Sequence, residues 1–247
     1  MKSILRPVIL CLSLLLLWQC CVMIFNLPPY ILPTPWNVLK TGYTHIDLIA
    51  VETIPTLIET LMGLFLGILF GCSAALVMIR FRLVSIWFLP VLIISQAIPT
   101  FAIAPLLVIW FGYGMASKII TTIIMLFFPI TSAFYDGLRR TELGWLELAK
   151  TMNATPWNTL LHIRIPAALP SLASGIRVAT VIAPIGAIVG EWVGASRGLG
   201  YLMLNANAHM QIDMMFSALL TIILISLSLY FSVNFLLKKL IPWQHEK

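Results

Sequence analysis

Glu147-Leu-Ala-Lys-Thr-Met-Asn-Ala-Thr-Pro-Trp157, followed by Ile163-Arg-Ile-Pro-Ala-Ala-Leu-Pro170, is a polar, partly charged island between long apolar runs. Thr141 to Met152 reads as a short helix. Trp145, Leu148, Ala149 and Met152 fall at i, i+3, i+4 and i+7 and make one apolar face. Glu147 and Lys150 lie on the other side, at the spacing of an i, i+3 ion pair. Asn tolerates positive φ, so Asn153 can end this helix at C′. Thr155-Pro156 then reads as a fresh N-cap with proline at the first helical position. A second helix is expected from about Pro156 to Arg164, limited by Pro166, with Pro170 in the first turn of the next apolar run. The island is expected to be a bent helix–turn–helix lying across one membrane face. The plain alternative is an amphipathic loop resting on lipid headgroups.

The rest of the chain makes a membrane protein of it. Of 247 residues, 60% are apolar and 10% charged, against about 25% charged in an ordinary soluble domain. Mean hydropathy is +1.01. An all-α membrane protein with about six transmembrane helices fits, at about 8–26, 56–79, 85–110, 117–135, 168–190 and 213–237, in a single domain covering 1–247. With the N-terminus inside, inner segments hold Lys2, Arg6, Arg80, Arg82, Arg139, Arg140, Lys150, Arg164, Lys238, Lys239 and Lys247. Outer segments hold only Lys40, Lys118 and Arg197, with Arg177 inside a span. This bias places both termini and the island, about 137–167, in the cytoplasm. It also explains the net charge of +6 as a topology signal rather than a nucleic-acid footprint. Lys2 and Arg6 precede an apolar run longer than a usual signal-peptide core, with no small-x-small cleavage site, so an uncleaved first span is expected. Cys11, Cys20, Cys21 and Cys72 lie in apolar runs without metal-ligand or disulfide spacing.

Prolines predict the irregular places. Pro28, Pro29, Pro33 and Pro35 argue against regular helix in the outer segment 27–55, and Asp47 to Thr60 reads as a short amphipathic helix interrupted by Pro55. Pro90, Pro99 and Pro105 predict a kinked or broken third span, which survives where freed carbonyls face protein or water. Gly63, Gly67 and Gly71, and Gly186, Gly190 and Gly194 with Ala179, Ala183 and Ala187, form small-residue ridges suited to close helix approach.

The island resembles the EAA loop of permease subunits of bacterial ATP-binding-cassette (ABC) importers. Glu147, Ala149, Ala154, Trp157, Ile163, Pro166, Ala167, Leu169 and Pro170 stand at matching places. Leu148 replaces the middle alanine of that pattern, Asn153 its glycine and Ile165 its leucine. The resemblance extends from roughly residue 50 to the C-terminus. Gln96 to Gly112 is similar to the third span of the nitrate/sulfonate/taurine branch, and Glu191 to Tyr201 to its outer loop. Ala183 to Gly194 and the ending Leu240-Ile-Pro-Trp243 are most similar to permeases for hydroxymethylpyrimidine-type thiamine precursors.

That resemblance implies a type I-like permease core in a bacterial inner membrane, paired with a second copy of itself. It implies two cytoplasmic ATPase subunits carrying ATP and Mg, a periplasmic binding protein that delivers substrate, and no cofactor or metal on this chain. Its coupling residues would be Glu147, Leu148, Ala149, Asn153, Ala154, Trp157 and Pro166. Glu191, with backbone freedom from Gly198 and Gly200, would be an outer gate or docking region. Aliphatic sulfonate, taurine or nitrate is the alternative cargo.

Polar groups within spans are the default pathway candidates. Ser95, Gln96 and Thr100 either line the path or satisfy carbonyls freed by the prolines. Arg177 can snorkel, pair with an acidic residue or face a cavity, and structural pairing is the plainer reading. His209 and Asp213 read as solvated loop residues rather than metal ligands. Two other classes make different demands. An ion-coupled secondary transporter needs carboxylates inside its spans, yet Glu59, Asp136 and Glu191 all lie near span ends. A membrane enzyme needs a convergent catalytic motif, and the sequence has none. It also has no Gly-Lys dipeptide, hence no Walker A loop.

Overall fold

The computed structural model describes residues 2–243, and every regular element among them is helical. In chain order these are α1 (Lys2–Ile24), α2 (Pro35–Thr44), α3 (Ile46–Arg80), α4 (Arg82–Ala97), α5 (Thr100–Phe111) and α6 (Met115–Arg139). Then follow α7 (Leu143–Thr151), α8 (Pro156–Thr159), α9 (Ile165–Gly194), α10 (Leu199–Ala208) and α11 (Ile212–Leu240). Among the described residues, four helical runs are long and apolar enough to cross a bilayer: α3, α6, Pro156–Gly194 and α11. Helices α4 and α5 make a fifth crossing if counted as one span, bent by 101°. The expected first span falls on α1, whose described apolar stretch, Leu12–Ile24, is shorter.

The chain divides into two compact units. One gathers the residues up to Thr56 with Ser196–Leu224, and the other Leu57–Ala195 with the chain from Ile225 on. The second unit holds the larger core, with α6 between α3 and α9. Leu126, Ile130, Phe134 and Leu138 of α6 meet Ala168, Ala173, Ala179 and Ala183 of α9, with Ala75 and Met78 of α3. Lipid tails are as apolar as leucine, so helix association in a membrane depends on close packing rather than on hydrophobic burial. The glycine ridges supply that closeness. A Cβ on Gly63, Gly67 or Gly71 would meet Thr122, Leu126 or Ile130 of α6 at 2.4, 3.2 and 2.8 Å. On the other flank, a Cβ on Gly186 or Gly190 would lie 2.9 and 2.8 Å from the Cα atoms of Thr122 and Lys118. The broken span is anchored to α6 by an edge-on Phe88–Phe127 contact at 6.3 Å and by the paired hydroxyls of Ser85 and Tyr135.

Within the first unit, α2 packs on α11. Ser217 Oγ donates to the Val38 carbonyl at 2.7 Å, and Thr41 Oγ1 donates to Asp213 at 2.7 Å. Trp18 of α1 meets Phe216 at 5.6 Å between ring centroids.

Three expectations need correction here. Segment 27–55 is not irregular throughout. Thr34 caps α2 by accepting from the Asn37 N–H, and Pro35 occupies the first turn, where its missing donor costs nothing. Pro55 does not interrupt α3, because one proline removes one ladder bond of a 35-residue helix. Asp213 is not a solvated loop residue. It stands in the first turn of α11 and accepts the Thr41 hydroxyl.

Candidate coupling loop and buried charge cluster

The island folds largely as its sequence dictates. After α7, Asn153 takes φ of 52°. The Ala154 N–H reaches the Ala149 carbonyl at 2.9 Å and the Asn153 N–H reaches Lys150 at 3.0 Å. These are the two bonds of a Schellman turn, with Asn at the left-handed position that a glycine usually fills and a β-branched residue would strain. Thr155 then caps α8, its Oγ1 accepting from the Asn158 N–H at 3.2 Å, with Pro156 at the first position.

Beyond α8 the structure departs from expectation. Pro166 does not end the second helix. Leu160–Arg164 forms a π-helical turn, with the Ile165 N–H bonding back to the Leu160 carbonyl, and α9 continues through Pro166 and Pro170. Pro166 has no N–H to give and its ring crowds the carbonyl four residues back. Widening the preceding turn to an i→i+5 pattern relieves that conflict and keeps the chain helical. The loop is therefore joined to the span by a continuous helical path from Pro156 to Gly194.

Ala149 is buried, whereas Trp145, Leu148, Met152 and Trp157 are exposed. Trp145, Leu148, His162, Ile163 and Pro166, with Trp243, enclose an apolar cavity of about 500 Å³ on this loop. Among the described residues no ion pair joins Glu147 to Lys150. Both instead line a second cavity, of about 410 Å³, with Arg80 and Arg164.

The remaining candidates do not converge on one site. Ser95 Oγ donates to the Leu92 carbonyl at 2.7 Å, just before the break. Thr100 begins α5 after Pro99, and Gln96 is exposed near the end of α4. Arg177 Nε donates to the amide oxygen of Asn234, Oδ1, on α11 at 2.8 Å.

Gly198 has φ of 114°, the conformation its role requires, but Gly200 lies within α10 and has no positive φ. The turn is held by residues that sequence reading missed. Glu52 of α3 accepts the Gly198 N–H and Thr56 accepts the Leu199 N–H, so two free donors at the start of α10 are satisfied from α3.

Glu191 belongs to a different constellation. Lys118 Nζ lies 3.2 Å from Glu59 Oε1, and the Glu191 carboxyl adjoins Glu59. Glu59, Glu191 and Lys118 are 0%, 1% and 6% exposed. Standing near span ends does not make Glu59 and Glu191 solvated: both are enclosed in protein. Depth and burial are separate matters here. Glu59 precedes Arg80 by 21 residues, as Lys118 precedes Arg139. At 1.5 Å per residue that is about 31 Å, the thickness of the hydrocarbon core. A crossing that ends at Arg80 and Arg139 therefore reaches its other boundary at about the level of this cluster.

A helical bundle with a broken span, small-residue seams and an exposed loop fused to a crossing helix is the architecture of a multi-pass membrane protein. The profile of binding-protein-dependent transport system inner membrane components matches residues 63–245, and the chain belongs to that family. A probable ABC transporter permease protein of Haemophilus influenzae is 53% identical, covering 96% of this chain and 97% of the relative. The formylaminopyrimidine transport permease protein ThiX of Halalkalibacterium halodurans is 33% identical over 98% of this chain and 97% of its own. The riboflavin transport system permease protein RibX of Chloroflexus aurantiacus is 34% identical over 94% and 87%. Among solved structures, an inward-facing MetNI methionine ABC transporter chain aligns with a TM-score of 0.65, covering 79% of this chain and 97% of that chain at 19% identity. That last likeness concerns the fold alone. The protein is thus a multi-pass inner-membrane permease subunit of an ABC importer, a family that works with ATPase and binding-protein partners.

Proposed function

We propose that this permease carries a substituted pyrimidine of the thiamine-precursor class, delivered by a periplasmic binding protein. In this reading two copies form the pathway, both termini are cytoplasmic, and Glu147, Leu148, Ala149, Asn153, Ala154, Trp157 and Pro166 form the seat of the ATPase subunit. ATP and Mg belong to that partner. Its movement reaches the span through the unbroken Pro156–Gly194 helix, which transmits displacement better than a jointed loop would. The outer turn at Gly198 and Gly200, with Glu191, is the gate of this reading.

One observation supports the cargo: 33% identity to a formylaminopyrimidine permease over nearly the whole of both chains, whereas the riboflavin permease, at 34%, matches a smaller share of both. The relatives named for aliphatic sulfonates and taurine that span a similar share are 26% and 25% identical. A single feature favours the anion alternative, the Arg177 cation within α9. The test is uptake into proteoliposomes holding the permease, its ATPase and its binding protein. Labelled formylaminopyrimidine is expected to accumulate only with ATP, competed by unlabelled pyrimidine and not by taurine. Competition by taurine alone would overturn the cargo, and uptake without the ATPase would favour an ion-coupled transporter.

A further inference from the structure

We infer that Arg80, Lys150 and Arg164 build a site for the phosphodiester headgroup of an anionic phospholipid, seated between the end of α3 and the coupling loop. The cavity they line measures about 410 Å³. Its charged lining is three cations and one acid, Glu147. Ile79 and Leu160 supply apolar wall beside those charges. Such a mixed lining fits an amphiphile, a charged head above the start of its acyl chains, better than a free ion.

Local folding puts each cation there. Arg80 ends α3, where unpaired carbonyls and the helix dipole favour a positive side chain. Lys150 lies in the last turn of α7. Arg164 is the last residue of the π-turn, so the widening that accommodates Pro166 also sets the register of its guanidinium. The depth is also right. Arg80 closes the apolar run of α3, and basic residues that flank a span stand at the membrane surface, where headgroups are found. Basic pockets between helices at such a surface hold anionic headgroups. The site lies at a membrane boundary whichever way the chain crosses, so it does not rest on the proposed orientation or cargo.

Native mass spectrometry of the intact permease–ATPase complex tests it, with phosphatidylglycerol and phosphatidylethanolamine titrated separately. The wild-type complex is expected to retain phosphatidylglycerol in preference. Arg80→Gln with Arg164→Gln should lower that retention by about tenfold or more. Arg140→Gln, outside the cavity, should not. Should the double variant fold poorly, the single variant Arg80→Gln gives the same readout at smaller size, a lowered phosphatidylglycerol retention. Equal binding of both lipids, or no change in any variant, overturns the inference. Competition by inorganic phosphate at matched concentration would make this a free-anion site. Loss of the ATPase with lipid retention unchanged would make it a protein contact. Either outcome also overturns the headgroup assignment.

Discussion

Lys118→Met will destabilise the folded chain by about 3–5 kcal/mol, whereas Glu59→Gln will cost far less, although the two residues form one pair. The asymmetry comes from the third member. With Lys118 gone, Glu59 and Glu191 face each other, enclosed in protein, with no cation beside Glu59. With Glu59 neutralised, one acid and one base remain. Removing one partner of a buried pair costs more than the pair itself is worth, because the other charge stays desolvated. Thermal melting of the purified chain in detergent measures this, and the double variant Lys118→Met/Glu59→Gln should recover part of the loss. If Glu59→Gln is as damaging as Lys118→Met, the cluster does not work as a charge balance.

The seam below the cluster gives the second large effect. Gly190→Ala places a methyl group 2.8 Å from the Lys118 Cα, and backbone cannot rotate out of the way. Helices α6 and α9 must separate, at about 1–3 kcal/mol. Gly63→Ala meets the Thr122 side chain instead, at 2.4 Å from Cγ2 and 2.6 Å from Cβ, so Thr122→Gly, which removes both atoms, should rescue it and leave Gly190→Ala unrescued. The control is Gly144→Ala on α7, where the new methyl meets nothing within 4 Å and helix propensity alone favours the change. Equal melting temperatures for Gly190→Ala and Gly144→Ala would show that the seam tolerates wider spacing.

What the sequence made legible was local chemistry. Asn153 and Thr155-Pro156 announce a helix end and a helix start through side chains and φ preferences that act within four residues. The same Thr-Pro signal at Thr34-Pro35 went unread because neighbouring prolines argued for irregularity, yet its cap bond has the same 3.2 Å length. The π-turn was not legible, since nothing in Leu160–Arg164 itself demands it. It is a response to Pro166 within a helix held by packing on both sides.

The charge cluster was hidden for another reason: it joins residues that lie far apart in the chain. A trace existed. Glu59, Gly63, Gly67 and Gly71 form one four-spaced row on α3, and Lys118, Thr122, Leu126 and Ile130 form the matching row on α6. The structure pairs them rung for rung, each pair separated by the same 59 positions, with the ion pair as the first rung. A glycine ridge continued by an acid was therefore a sign that the acid would be buried against a cation. The partners of Arg177 and of the α10 turn, Asn234 and Glu52, left no comparable pattern.

In the proposed function the exposed face of α7 seats an ATP-hydrolysing partner on the cytoplasmic side. A photoreactive residue in place of Leu148, which is 60% exposed, tests it most directly in inside-out membrane vesicles that also contain the ATPase subunit. A crosslinked adduct with that subunit is expected, strongly reduced by Glu147→Lys. Adducts with lipid alone, or labelling of the same position by a membrane-impermeant reagent applied to the outer face of intact cells, would contradict it.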